Sequence, residues 1–293
     1  MPISQLPRRL TAGVALVAAA ACAHPSVASV PPRGAMSFPV DSSRSQVIAD
    51  GVTHTVLHSP QGPWTINVLY VDLDRCNAAE AVASDDDSLR RTKTTAMLAS
   101  LARHQQVLAG VNADFFDLKT GRPTNLLVID GAMRTAPIKQ PVLAFDSAGA
   151  PHIGFFTLDS GRLRPYQPFE AVGGRPVIVS DSAVTGHVDT FGNAGFRARN
   201  PRTAAGIARN GKELILVAVD GREYLNAGMT LRELADLMLG LGARDAINLD
   251  GGGSTTMVVA DPASHALRIV NHPSDKEGER SVGDALAIVH RCR

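Results

Sequence analysis

The chain has little of what marks many familiar functional classes. Of its 293 residues, 29 are Lys or Arg and 28 are Asp or Glu, a net charge of +1. There is no long basic run. That argues against nucleic acid as a partner, because neutralising phosphates needs clustered cations; one or two placed arginines meeting a small anion remain compatible. The nine histidines show no zinc spacing and no His-Glu-x-x-His. Asp85-Asp86-Asp87 lacks the spaced acceptors and the Gly of a calcium loop, and reads as a solvated loop. No cofactor is expected, and a divalent cation between Asp residues has no support from ligand spacing. The three cysteines include no Cys-x-x-Cys. No apolar run is long enough to span a bilayer as a stable helix.

Three motif classes are also missing at the one glycine cluster, Gly251-Gly252-Gly253-Ser254. No Gly-Lys-Ser/Thr follows, so it is not a P-loop. Thr255–Val259 is β-branched and reads as strand, which excludes a dinucleotide-binding turn. Thr256 stands where a nucleophile elbow needs Gly, which disfavours a serine hydrolase.

What is present begins with an export signal over residues 1–22. Arg8 and Arg9 precede the apolar run Leu10–Ala21, and small residues lead to Cys22. The pattern resembles a bacterial lipoprotein signal with Cys22 as the lipidated residue. Ala19 stands where Leu is more usual, so lipidation and simple cleavage both stay open. The expected location is exported: periplasmic, secreted, or anchored to a membrane through Cys22. Residues 23–48, rich in Ala, Ser, Pro and Val, read as a flexible tether. Cys76 and Cys292 each lie just past an apolar, strand-like run. In an oxidising compartment the two could pair, with free thiols as the alternative.

Residues 49–293 read as a single α+β domain with a mixed, strongly β core and a few packed helices. At 44% hydrophobic and 19% charged residues a sizeable core is expected. Thirteen short runs rich in Val, Ile, Leu and Phe, broken by Gly, Pro, Asp and Asn, read as strands. Among them are 65–73, 106–111, 203–208, 213–219, 246–249 and 284–289, and Asn210-Gly211 signals a hairpin. Thr230-Leu-Arg-Glu233 is a capping box. Leu231, Leu234, Ala235, Met238 and Leu241 then mark an apolar helical face, and Gly242 is placed to end it. A second helix is expected over 95–104. If the strands flanking helix 230–241 pair in parallel, they form a crossover unit.

That unit places chemistry. Asp220 and Asp250 each follow an apolar strand and precede Gly, so parallel strands would bring both carboxylates to one carboxyl edge, where open sheets place ligands. Turn formation is the plain alternative for any Asp-Gly. The amides of Gly251, Gly252, Gly253 and Ser254 would suit an anion nest, and Arg202 a phosphate fork. Asn112 and Asp114, at a strand end beside Phe115 and Phe116, suit a pocket wall, as does Asn125.

Taken together, several elements resemble the phosphodiester glycosidase family over roughly residues 105 to 290. They are Asn112 with Phe115-Phe116, then Gly121 and Asn125, then Arg202-Thr203-Ala-x-Gly206 and Asp220-Gly221. Gly228-Met-Thr-Leu, Asn248-Leu-Asp250-Gly-Gly-Gly-Ser254 and Pro273-Ser274-Asp275 complete the set. Asp114 stands where some members carry Gly. The resemblance implies a hydrolase cleaving a sugar C1–O bond whose leaving group is a phosphate ester. It implies Asp250 and Asp220 as catalytic groups. Arg202, Thr203, Asn112, Asp114, Asn125, Asn248, Gly251–Ser254 and Asp275 would meet substrate. Two competing readings are a non-catalytic cell-surface binder of anionic glycan or exopolysaccharide, and a metal-dependent phosphoesterase cutting P–O.

Overall fold

A computed structural model describes Met1, residues 35–84 and residues 89–292. The export-signal and Cys22 readings fall on residues 2–34, and the Asp85–Asp87 reading on residues 85–88. Both lie outside the described residues.

The domain is α+β, with far more of its described residues in strands than in helices. Among the described residues, an eight-stranded sheet runs Ser42–Ala49, Val52–Ser59, Trp64–Asp72, Glu213–Val219, Arg202–Ala208, Asp245–Asn248, Val177–Ser180, Ala183–Val184. A five-stranded sheet runs Leu267–Ile269, Met257–Ala260, Val107–Asn112, Ala285–His290, Asn77–Val82. A second five-stranded sheet runs Pro151–Phe155, Pro141–Phe145, Glu170–Gly173, Leu127–Ile129, Ala132–Thr135. One core is shared by all three sheets: Leu69, Ala205 and Leu216 from the first meet Val111 and Leu286 from the second and Leu143 and Val172 from the third.

The central strands of the large sheet are buried on both faces, which is why they read as unbroken apolar runs. Alternate residues divide cleanly. Ala205 and Ile207, with Leu214, Leu216 and Ala218, face the shared core. Ala204 and Ala208, with Ile215, Val217 and Val219, face a second core closed by helix α3, Leu231–Gly240. Helices α1, Thr94–Leu101, and α2, Ala194–Arg197, are shorter.

Helix α3 starts and stops where the sequence indicates. The amide of Glu233 donates to Thr230 Oγ1 at 3.1 Å, and the amide of Thr230 donates to Glu233 Oε2 at 2.9 Å. At the other end the Gly242 and Ala243 amides donate to the Leu239 and Met238 carbonyls, both at 2.9 Å, with Gly242 at φ +96°, in the left-handed region that favours glycine. Replacing Thr230 by Ala removes one half of the capping box. We expect a loss of about 1 kcal/mol in denaturant unfolding; an unchanged midpoint would mean that the helix draws nothing from its cap.

Three features differ from the sequence reading. Residues 42–48, assigned to the tether, belong to an edge strand paired with 52–58, and Phe38 before it is buried. Asn77–Val82 was not expected as a strand because Asn-Ala-Ala-Glu-Ala has low β propensity; its pairing with Ala285–His290 supplies what local sequence does not. Most important, the strands flanking α3 are not neighbours. Glu213–Val219 and Asp245–Asn248 both pair antiparallel with Arg202–Ala208, which lies between them. They are therefore parallel to each other and end at the same edge, separated by one strand. Cys76 and Cys292 are joined in a disulfide across 216 positions of sequence.

Candidate active site

The edge where those two strands end carries the chemistry. Asp250 leaves the Asp245–Asn248 strand and its amide donates to the Ala113 carbonyl at 2.8 Å. The next residue, Asp114, donates its own amide to Asp284 Oδ1 at 2.7 Å. Two sheets thus hold three aspartates together. Asp114 and Asp284 are buried, and Asp250 is half-buried. Asp114 Oδ2 accepts the Asn125 amide at 2.8 Å, while Asp284 Oδ2 is buried with no hydrogen-bond partner. A Cβ on Gly173 would stand 2.6 Å from the Asp114 carboxyl carbon, so only glycine allows that strand to lie against it.

Burial dominates the electrostatics. Burial pushes the Asp114 carboxyl up to about 7, with the Asp250 charge adding to it. Burial pushes Asp250 up to about 6, opposed by the Ser254 hydroxyl and the Arg280 and Arg175 charges. Asp284 is raised well above the usual carboxylate range by burial and by Asp114. Elsewhere, Cys76, Cys292 and His290 lie close together, but the two sulfurs are bonded to each other.

Cations surround the group. Arg175 stacks on Phe115, its guanidinium carbon 4.3 Å from the ring centre. Arg280 forms a two-pronged pair with Asp275, at 2.7 and 2.9 Å, and reaches Ser254 Oγ at 3.5 Å. Arg222 lies over Gly252 and donates to Asn200 at 3.0 Å. Sequence reasoning missed Arg175, Arg222, Arg280 and Asp284. Gly173-Gly174-Arg175, ending an apolar strand, was a usable signal for the first. Arg280 and Asp284 offered none, since only the fold brings residues 275–284 here.

The other expected site residues are all at or near this edge, in roles the sequence did not specify. Asn112, fully buried, donates to the Asp250 carbonyl at 2.7 Å and accepts from Thr203 Oγ1 at 2.8 Å and the Thr256 amide at 3.0 Å. It is a clamp between the sheets, with Thr203 its partner. Asn125 donates to the Pro141 carbonyl at 2.9 Å and accepts from the Ile138 amide at 3.0 Å. Asn248 donates to the Arg175 carbonyl at 2.7 Å. Asp275 orients Arg280.

Three expectations need correction. Arg202 does not face the carboxylates. It lies on the same strand face as Ala204, toward the α3 side, whereas Thr203 points to Asn112. Its guanidinium donates to the carbonyls of Met229, Phe196 and Ala198 at 2.8, 2.7 and 2.8 Å, and burial lowers it to about 10. The glycine loop is not an open anion nest. The Gly252, Ser254 and Thr255 amides donate to the carbonyls of Pro201, Gly251 and Gly252. Its glycines are needed for a positive φ of +62° at Gly252 and for close approach at Gly253, where a Cβ would collide with Asp275 and Arg280. Finally, Asp220 shares the edge but not the cluster. The intervening strand sets its backbone about 10 Å from that of Asp250, two interstrand spacings. Its Oδ1 accepts the His272 amide at 2.8 Å, and burial raises it to about 6.

A stability prediction follows from Asp284. Its folded-state value lies above its unfolded one, so the folded protein holds the extra proton and stability falls as pH rises above about 4. Asp284→Asn keeps an acceptor for the Asp114 amide and removes the charge. Its melting temperature should decline less between pH 5 and pH 8 than that of the unsubstituted protein. A parallel decline would refute the buried-charge assignment.

The chain is similar to known proteins in sequence and in fold. A family model described as phosphodiester glycosidase matches residues 105–289. An uncharacterized SPbeta prophage-derived protein of Bacillus subtilis, YomE, is 35% identical over 95 residues, which are 32% of this chain and 14% of that protein. The chain therefore spans a small part of that relative's length. A hypothetical protein from Synechocystis superposes with a TM-score of 0.65 at 16% identity, covering 86% of this chain and 64% of the other. The catalytic domain of zebrafish N-acetylglucosamine-1-phosphodiester alpha-N-acetylglucosaminidase, auto-inhibited by its pro-peptide, superposes with a TM-score of 0.60 at 20% identity, covering 91% and 88%. At these identities the two structures speak for the fold.

Proposed function

The chain belongs to the phosphodiester glycosidase family, and on that premise we propose that it hydrolyses the C1–O bond of a sugar-1-phosphodiester, releasing the sugar and a phosphate monoester. The observation that supports this most is the grouping of Asp250, Asp114 and Asp284 with Arg175 and Arg280 at one sheet edge.

The chemistry divides among these residues by environment. A phosphate ester leaves readily, so the harder tasks are holding its negative charge and meeting the positive charge that builds on the sugar ring. Arg175, backed by Phe115, and Arg280, oriented by Asp275, take the first task. Asp250, solvent-reached and near 6, takes the second as the ionised carboxylate, attacking C1 or removing a proton from the attacking water. Asp114, near 7, stays protonated longer and donates to the departing oxygen. Water oxygen ends on C1, and the leaving phosphate keeps the bridging oxygen. Asp284 positions Asp114 through its amide.

The test is product analysis on a panel of sugar-1-phosphodiesters. Free reducing sugar with a phosphate monoester supports the reading. Sugar-1-phosphate with free alcohol would mean P–O cleavage and would overturn it.

A further inference from the structure

A cavity of about 480 Å³ begins at Pro176, the residue after Arg175, and none of the three site carboxylates lines it. One wall is the Lys139–Pro141 turn with Ile153–Phe155; the other is Pro176, Val177 and the loop carrying His187 and Phe191. Both walls are tied to the site. Asn125, whose amide meets Asp114, donates its side chain to the Pro141 carbonyl. Asn248, two residues before Asp250, donates its side chain to the Arg175 carbonyl and its amide to the Pro176 carbonyl at 3.0 Å. An aromatic chain connects them as well: Phe191 to Phe196 at 5.4 Å, and Phe196 to the Phe115 ring under Arg175 at 5.6 Å.

The far end of the cavity reaches Ser180 and Asp245. Asp245 lies five residues before Asp250, so this end of the groove stands about 16 Å along the chain from that carboxylate at 3.3 Å per extended residue. Its surface is largely apolar, and Phe155 at its rim is 62% exposed, with Ile138 nearby at 44%. Such an exposed apolar strip marks a binding surface. Its charged groups are Lys139, which forms no ion pair among the described residues, and Asp245, which has Arg244 at 3.8 Å.

We propose that this groove is the subsite for the alcohol half of the phosphodiester, and that this alcohol is an apolar chain of the alkyl or lipid type. The inference rests on the hydrolase reading above. The phosphate would sit between Arg175 and Lys139, and the chain would lie along Val177 and Phe155. A second sugar in that place would cover an apolar strip with hydroxyls and leave them poorly paired.

Two measurements separate this inference from the reading beneath it. Calorimetric binding of octyl phosphate is compared with that of methyl phosphate, and kcat/KM is compared for the octyl and methyl esters of one sugar-1-phosphate. Each buried methylene tightens binding about three- to fourfold, so octyl phosphate with about three of its methylenes buried should bind tens of times more tightly. Phe155→Ser should remove much of that ratio, whereas Leu158→Ser, on an exposed hairpin outside the groove, should leave it intact. Equal binding of the two phosphates, or a ratio insensitive to Phe155→Ser, overturns the proposal whatever the turnover. Equal cleavage of both esters also overturns it and leaves the hydrolase reading standing. A Phe155-dependent octyl preference in binding, with neither ester cleaved, would keep the groove and defeat the hydrolase reading.

Discussion

Asp250→Asn should lower turnover at least about a hundredfold while leaving the fold in place, because a group acting as base or nucleophile cannot be replaced by a neutral amide. The substitution is well suited to the question. An Asn side chain keeps an oxygen for the Ser254 hydroxyl and the Gly251 amide, the two groups that hydrogen-bond this carboxylate. It also removes a charge that burial already disfavours, so melting temperature at neutral pH should hold or rise. Folded protein with turnover near that of the unsubstituted enzyme would remove Asp250 from the chemistry. Asp220→Asn provides the contrast. Asp220 is bonded to the 271–272 turn and stands a strand away, so its substitution should act through local order and cost far less.

The second large effect concerns Asp114. Activity that needs Asp250 ionised and Asp114 protonated follows a bell, rising near pH 6 and falling near pH 7. The apparent values belong to the coupled group as a whole. Asp114→Asn should remove the alkaline limb and lower the maximum by roughly tenfold to a hundredfold, the range for loss of one general acid. It should leave the acid limb in place, because Asp114 is already protonated where Asp250 titrates. Asn in this place still accepts the Asn125 amide, and thermal melting shows whether the buried site tolerates it. A profile with both limbs unmoved would mean that Asp114 only supports the backbone.

Much of this site was legible in the sequence, and the part that was not has a physical explanation. Asn112, Asp114, Asn125, Asn248 and Asp250 announce themselves because polar residues at the ends of buried strands are costly unless they are paired or used. What sequence could not give was direction. Arg202 and Thr203 are adjacent, yet strand alternation sends Thr203 to Asn112 and Arg202 to the carbonyls around α3. Nor could it give the strand inserted between 213–219 and 245–248. A helix joining two strands fits adjacent pairing as well as pairing across a third. The edge on which Asp220 and Asp250 emerge came out correctly; their separation did not. Asp284 and Arg280 reach the site from a strand of another sheet and the turn before it. No local pattern marks such long-range arrivals.

The same limit applies to the fold. Runs rich in Val, Ile and Leu, such as 213–219, declare themselves. The Ala-rich strand 77–82 and the edge strand 42–49, which follows the Pro- and Ser-rich stretch, owe their conformation to partners far along the chain.

The central claim is that the bond broken is C1–O. Hydrolysis of a cleavable sugar-1-phosphodiester in water enriched in oxygen-18, followed by mass analysis of both products, addresses it directly. The site described here predicts the label on the sugar C1 hydroxyl and none in the phosphate monoester. Label in the phosphate, with the sugar left unlabelled, would contradict the account.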